Sequence, residues 1–194
     1  MLTAITGGIG SGKSIVSKIL AAMGYPVYDC DSRAKLLMDQ DDQIKKVLCS
    51  EIHADCVRTD GSINRERLSE IVFGDAGALC RLNAIVHAAV RLDLKRWCGA
   101  NIGSGRLFVE TAILYQSGLD VMVDDVWSVD APAELRIERV MARNSFSRQQ
   151  VEARIASQDS YVPTILHPRV FSIINDGCIP LLPQIENLLG QEMY

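Results

Sequence analysis

Leu2–Thr6 is a short apolar run that stops at Gly7-Gly8, the pattern of a parallel strand buried on both faces. From Lys13 onward, Val16, Ile19, Leu20 and Met23 fall at helical spacing, and Gly24 stands where a left-handed residue ends a helix. Pro26-Val27-Tyr28 then reads as a second short strand, ending in Asp29-Cys30-Asp31. Strand, loop, helix and strand in so short a span predict a βαβ unit with parallel strands.

From Ser32 to about Asn101 the pattern turns almost wholly helical, with a break at Thr59-Asp60-Gly61-Ser62. After Asn64, the residues Leu68, Ile71, Val72 and Phe73 form one helical face. After Asp75, the series Leu79, Leu82, Val86, Val90, Leu94 and Trp97 predicts a long amphipathic helix. The alternating pattern then resumes. Leu107-Phe108-Val109 predicts a strand ending in Glu110-Thr111, and Asp125–Val129 another ending in Asp130. Pro132 is placed to open a helix, and Ser147 with Gln150 has the form of a capping box. Val170–Ile174 predicts a last strand closed by Asn175, with Ile185–Leu189 in a terminal helix. The fold class expected is α/β: a parallel sheet flanked by helices, with an inserted helical lobe and a lid. Residues 1–31 and 102–194 form the core, 32–101 the lobe, and about 143–160 the lid, all within one integrated domain.

Composition narrows the function. A length of 194 residues suits one such domain, and a net charge of −4 argues against a nucleic-acid partner. No apolar run approaches the ~20 residues of a membrane span. The start of the chain lacks a basic leader and runs straight into a glycine loop, so a cytoplasmic location is expected. Cys30, Cys49, Cys56, Cys80, Cys98 and Cys178 include no C-x-x-C pair. They read as reduced, mostly buried small hydrophobes rather than zinc ligands. Nothing in the pattern fixes an oligomeric state.

The chemistry lies in Gly7-Gly8-Ile9-Gly10-Ser11-Gly12-Lys13-Ser14, which satisfies G-x-x-x-x-G-K-[ST] between a strand and a helix. Glycines let the backbone wrap its N–H groups around a polyphosphate, and the following helix aims its positive end at the same anion. Gly8, Ile9, Gly10, Ser11, Gly12, Lys13, Ser14 and Ile15 are therefore the candidate ATP-binding residues. Lys13 is placed to reach the β- and γ-phosphates and Ser14 to ligate Mg²⁺, with Glu110 able to assist the ion through water; a cap or ion pair is the other reading of Glu110. A regulatory GTPase is excluded, because no D-x-x-G and no N-K-x-D occurs. What remains is a small-molecule kinase, a P-loop NTPase-type sheet whose helical lobe takes the substrate.

In a parallel sheet, ligands bind beyond the C-terminal ends of the strands. Asp31 is the candidate to receive an acceptor hydroxyl there, and Asp29, two residues earlier in an extended segment, would face the same way. Either could instead cap the helix near Ser32. Arg136, Arg139 and Arg143 share one helical stripe. Such arginines can stabilise a transferring phosphoryl group or, paired with Glu134 and Glu138, form a solvated face. Arg143 adjoins Asn144-Ser145-Phe146, a candidate lid tip. Asn64 is expected to cap a helix and leave Arg65 free for an anionic substrate, while His87 reads as either structural or substrate-binding.

Taken together, these segments resemble the dephospho-CoA kinase family from Leu2 to about Leu189. The resemblance rests on the loop, on Val27-Tyr28-Asp29-Cys30-Asp31, on Asp60-Gly61-Ser62-Ile63-Asn64-Arg65, on Leu82-Asn83-Ala84-Ile85-Val86-His87, and on Arg136 to Arg143. It implies ATP- and Mg²⁺-dependent phosphorylation of the ribose 3′-hydroxyl of dephospho-CoA, the last step of coenzyme A synthesis, with 32–101 as the CoA-binding lobe. It implies Asp31 as the acceptor-activating acid, Gly10 to Ile15 as ATP-binding, and Arg139 and Arg143 as lid arginines. The residue patterns alone also admit a nucleoside or nucleotide kinase with another acceptor, or a non-catalytic nucleotide-binding module. Ala88, Gln116 and His167-Pro168-Arg169-Val170-Phe171 depart from the family pattern.

Overall fold

The computed structural model describes residues 1–144, 146–161 and 163–191. Among the described residues five strands are present: β1 (Leu2–Thr6), β2 (Val27–Asp29), β3 (Leu107–Glu110), β4 (Asp125–Asp130) and β5 (Val170–Ile174). They form one sheet in the order β2-β3-β1-β4-β5. β1 runs parallel to both β3 and β4, with Ile5 opposite Glu110 on one side and Trp127 on the other. β4 in turn runs parallel to β5. The chain first builds outward from β1 on one side and later on the other, so a topological switch lies beside β1. The loop after β1 opens at that point.

Burial on both faces explains the unbroken apolar strands. Ile5, Phe108, Trp127, Val129 and Ile173 pack against Val16 and Leu20 of α1 (Lys13–Ala22), and Ile185 of the terminal helix joins the same cluster. The Phe108 and Trp127 rings lie 5.2 Å apart, and Tyr25 meets Phe108 edge-on at 5.5 Å. Two compact units emerge, one of residues 1–28 with 103–194 and one of 29–102. The helical unit begins a few residues before the expected start, because the chain is already helical at Cys30.

That unit holds α2 (Cys30–Gln40), α3 (Asp42–Glu51), α4 (Arg65–Gly74) and the long α5 (Ala76–Ala100). Its core joins Ile44, Leu48, Cys56, Ile63 and Leu68 to Leu82, Ile85 and Ala89 of α5. A two-pronged pair from Arg33 to Asp93, both contacts 2.8 Å, ties α2 to α5. Two expectations fail here. Phe73 is 89% exposed, since five residues beyond Leu68 it has rotated off the face that Leu68, Ile71 and Val72 share. Leu79 is also exposed, and Ala78 is buried in its place. Of the cysteines only Cys30 and Cys56 are buried, whereas Cys80 and Cys178 are exposed, so the expectation of mostly buried thiols is corrected.

Back in the sheet unit, α6 (Ala133–Asn144) and α7 (Arg148–Asp159) follow β4, and α8 (Leu181–Gly190) follows β5. The capping box of Ser147 and Gln150 opens α7 as its sequence pattern predicts. Among the described residues no helix is long and apolar enough to cross a membrane.

One ion pair is buried in this unit. Arg106 donates from Nη2 to Asp125 at 2.8 Å and from Nε to the Thr3 hydroxyl at 2.8 Å. Its guanidinium lies 4.9 Å over Trp127 and 5.3 Å over Phe108. Asp125 is fully buried and Arg106 nearly so. Removing one partner of a buried pair strands the other charge away from water, so Asp125→Ala is expected to cost about 3–5 kcal/mol. Urea unfolding checks this, and a loss below about 1 kcal/mol, as for a surface pair, would contradict it.

Candidate functional site

The glycine loop ends at a helix start that no side chain caps. Asp29, Asp41, Asn64, Asp75 and Ser147 each cap the helix that follows them with a side-chain oxygen. α1 has Gly12 at its N-cap, with φ +101° and no side chain to accept a hydrogen bond. Ile15 is the first residue whose N–H donates within the helix, to the Gly12 carbonyl at 2.9 Å; the N–H groups of Lys13 and Ser14 come before it. They point out of the end of a helix whose dipole is positive there, which is a site for an anion. Lys13 and Ser14 are the first two residues of that helix.

The loop in front of them is held from behind. Arg136 of α6 donates from Nε to the Ile9 carbonyl at 2.9 Å. Gln158 of α7 accepts the Ile9 N–H at 2.7 Å. Asn175, buried at the end of β5, donates from Nδ2 to the Ser11 carbonyl at 2.7 Å and from its own N–H to Asp130 at 2.8 Å. A Cβ on Gly12 would overlap the Asn175 carboxamide, and one on Gly8 would overlap the Arg136 guanidinium. Lys13 folds back, donating to the carbonyls of Gly7 at 2.9 Å and Gly8 at 3.2 Å.

Several expectations change against this geometry. Ile9, Ser11 and Ile15 stand among the expected ATP-binding residues, yet their N–H groups are engaged by Gln158, by the Gly8 carbonyl at 3.1 Å and by the Gly12 carbonyl at 2.9 Å. The arginine stripe divides. Arg136 grips the loop, while Arg139 donates to the Asn175 backbone oxygen at 3.1 Å and its side-chain oxygen at 3.3 Å. Arg139 therefore reaches the loop through Asn175 rather than standing free for phosphate. Arg143 is exposed at the end of α6 and donates to Asn144 at 2.9 Å. Glu134 pairs with Arg148 at 2.7 Å, so it is not the partner of the stripe. Ser145, in the expected lid tip, lies outside the described residues.

In the helical unit, Asp29 and Asp31 do not share an extended face. α2 begins at Cys30, so Asp29 is its N-cap, accepting from the N–H groups of Asp31 and Ser32 at 3.0 and 3.2 Å. Asp31 sits in the first helical turn, exposed, with its carboxylate spared the capping role. Asn64 caps α4 as expected, but Arg65 is not free, because it forms a forked pair with Asp39 at 2.8 and 2.9 Å. His87 is half-buried on α5, and burial first, then the nearby Arg91 charge, pushes its pKa below the ordinary histidine value. His87 is thereby kept neutral near pH 7.

The donor set also bears on Mg²⁺. The Ser14 hydroxyl is exposed at the open helix end, and Glu110 ends the strand beside β1. Among the described residues no group of three or more His, Cys, Asp or Glu could cage a metal. A sparse oxygen set of this kind fits Mg²⁺, which keeps most of its shell as water and substrate phosphate. Of the departing residues, Gln116 is exposed, and His167 ties its segment to the Val123 carbonyl at 3.2 Å and the Tyr115 hydroxyl at 3.4 Å.

Sequence reasoning missed Asn175 and Gln158. Asn175 was legible only as a strand-closing turn residue, and Gln158 carried no signal at all.

Known proteins are similar to this chain over nearly its whole length. The family model for dephospho-CoA kinase matches residues 1–177. The dephospho-CoA kinase of Porphyromonas gingivalis is 37% identical over 185 residues, covering 95% of this chain and 91% of that protein. The Bacteroides fragilis enzyme of the same name is 38% identical over 186 residues, covering 96% and 90%. A crystal structure from Thermus thermophilus superposes with a TM-score of 0.81 at 29% identity, covering 100% of this chain and 98% of the other. With the family match spanning both the sheet and the helical unit, the chain belongs to the dephospho-CoA kinase family.

Proposed function

We propose that Lys13, Ser14, Asp31 and Arg143 carry in this chain the reaction of its family: transfer of the γ-phosphoryl group of ATP to the 3′-hydroxyl of dephospho-CoA, giving coenzyme A and ADP. The observation that carries the reading is the uncapped start of α1 behind a glycine loop. The amides of Gly10, Gly12, Lys13 and Ser14 hold the phosphates, and the backing side chains keep them in place before ATP arrives. Such fixed donors cost no reorganisation when charge shifts in the transition state.

Lys13 exchanges its bonds to the Gly7 and Gly8 carbonyls for the β- and γ-phosphate oxygens. Ser14, with Glu110 through water, is the residue set that would hold Mg²⁺, which would supply charge neutralisation to the phosphates. Asp31 accepts the proton of the 3′-hydroxyl as its oxygen attacks the γ-phosphorus. Support for Asp31 over Asp29 comes from the cap, because a carboxylate holding two backbone N–H groups is committed to the helix. Arg143, unburdened by a carboxylate, supplies charge to the equatorial oxygens from the lid. Arg139 acts behind the loop through Asn175.

Residues 29–102 are the lobe for dephospho-CoA in this reading. Neutral His87 there offers hydrogen bonding rather than charge, and Arg65 meets the substrate as part of its pair with Asp39. The cytoplasm, with no nucleic acid or membrane involved, is the setting that goes with this reading.

Asp31→Asn is expected to lower kcat by roughly 10²–10⁴-fold with Mg-ATP affinity and melting temperature unchanged. Steady-state assays with both substrates saturating, beside a thermal melt, check it; activity within about threefold of wild type would return Asp31 to a structural role. Lys13→Ala should leave the fold intact and cripple turnover, and a near-normal kcat would sink the loop assignment. Arg143→Ala should reduce kcat with little change in the KM for dephospho-CoA, whereas an unchanged kcat would make it a solvated surface arginine.

A further inference from the structure

Ile9 is gripped in three ways by the hairpin of α6 and α7. Its side chain packs into the apolar cluster of Ile137, Val140 and Val151, joined by Phe146 and Ile155. Its carbonyl accepts from Arg136 of α6, and its N–H donates to Gln158 in the last turn of α7. The Gln158 contact is partly buried and, at 2.7 Å, short for an N–H···O bond. It bridges 149 positions of sequence, so it does not follow from local chain geometry.

A loop that wraps an anion with successive amides has to choose which of them face inward. An amide left without an acceptor turns toward the strongest one nearby, which in this loop is the phosphate. Gln158 removes that freedom at one position. It pins the Ile9 peptide outward, beside the residue where Gly10, with φ +79°, swings the backbone the other way.

We propose that Gln158 is a positioning residue for the phosphate loop. By holding the Ile9 N–H it fixes the shape in which the amides of Gly10, Gly12, Lys13 and Ser14 face ATP, and it makes that shape depend on α7 being docked. The role rests on the reading that this loop binds ATP, and it acts through Ile9 rather than on the substrate itself.

The test uses the full chain and two variants. Gln158→Leu removes the acceptor and shields the site from water; Gln158→Ala, a good helix residue, removes it and lets water in. Mg-ATP affinity is read by titration calorimetry, with kcat, both KM values and the nucleotide-free melting temperature measured alongside. Gln158→Leu is expected to weaken Mg-ATP binding about tenfold, the cost of one buried unsatisfied N–H, and Gln158→Ala about threefold. The KM for dephospho-CoA should stay within about twofold on the same scale, and the nucleotide-free melting temperature should fall by no more than the few degrees that one lost hydrogen bond costs. Wild-type ATP affinity in both variants would overturn the proposal, as would a joint loss of melting temperature and of both KM values, which a merely structural contact would give. A wild-type chain that binds no Mg-ATP would overturn the loop reading as well, so the two failures are told apart.

Discussion

Everything in the sheet unit leads to one electrostatic constraint: the first turn of α1 is left without a cap. A helix start is usually closed by a side-chain oxygen, worth about 1 kcal/mol, and five other helices of this chain are closed in that way. Gly12 forgoes that stabilisation. The amides ahead of Ile15 and the positive dipole end then face a polyphosphate, which is a far stronger partner than a hydroxyl or a carboxamide. The site is thus a local instability that its ligand relieves.

An open helix end needs a rigid surround, because a loop of glycines has no side chains with which to hold itself. The surround comes from the rest of the unit. Trp127 and Phe108 fill the core on either side of Ile5, which sets β4 and β3 against β1. β5 pairs with β4, and its end delivers Asn175 to the Ser11 carbonyl. The hairpin of α6 and α7 delivers Arg136 and Gln158 to the two sides of the Ile9 residue. Apolar packing therefore sets the positions of three polar contacts, and those contacts shape the loop.

Much of this was legible in the residues. The strands, the loop, the end of α1 at Gly24, the capping box at Ser147 and the long helix after Asp75 follow from spacings of a few residues, where local physics dominates. The lapses have two sources. Some are local misjudgements of a helix boundary: α2 starts at Cys30, which turned Asp29 into a cap and ended the alternation that paired it with Asp31. Others are invisible to any local pattern. Asn175 meets Ser11 across 164 positions, Gln158 meets Ile9 across 149, and Arg136 meets Ile9 across 127. Arg65 looked available in the sequence for the same reason, since its partner Asp39 lies 26 residues back on another helix.

The account stands most directly on which amides meet the phosphates. Amide resonances of the 15N-labelled chain, followed while a non-hydrolysable ATP analogue is added with Mg²⁺, report each N–H separately. The amides of Gly10, Gly12, Lys13 and Ser14 should shift strongly downfield as they gain charged acceptors, while the Ile9 amide, kept by Gln158, shifts little. Saturable binding that left the Gly12, Lys13 and Ser14 amides unmoved would contradict the claim that the open end of α1 is where this protein holds its nucleotide.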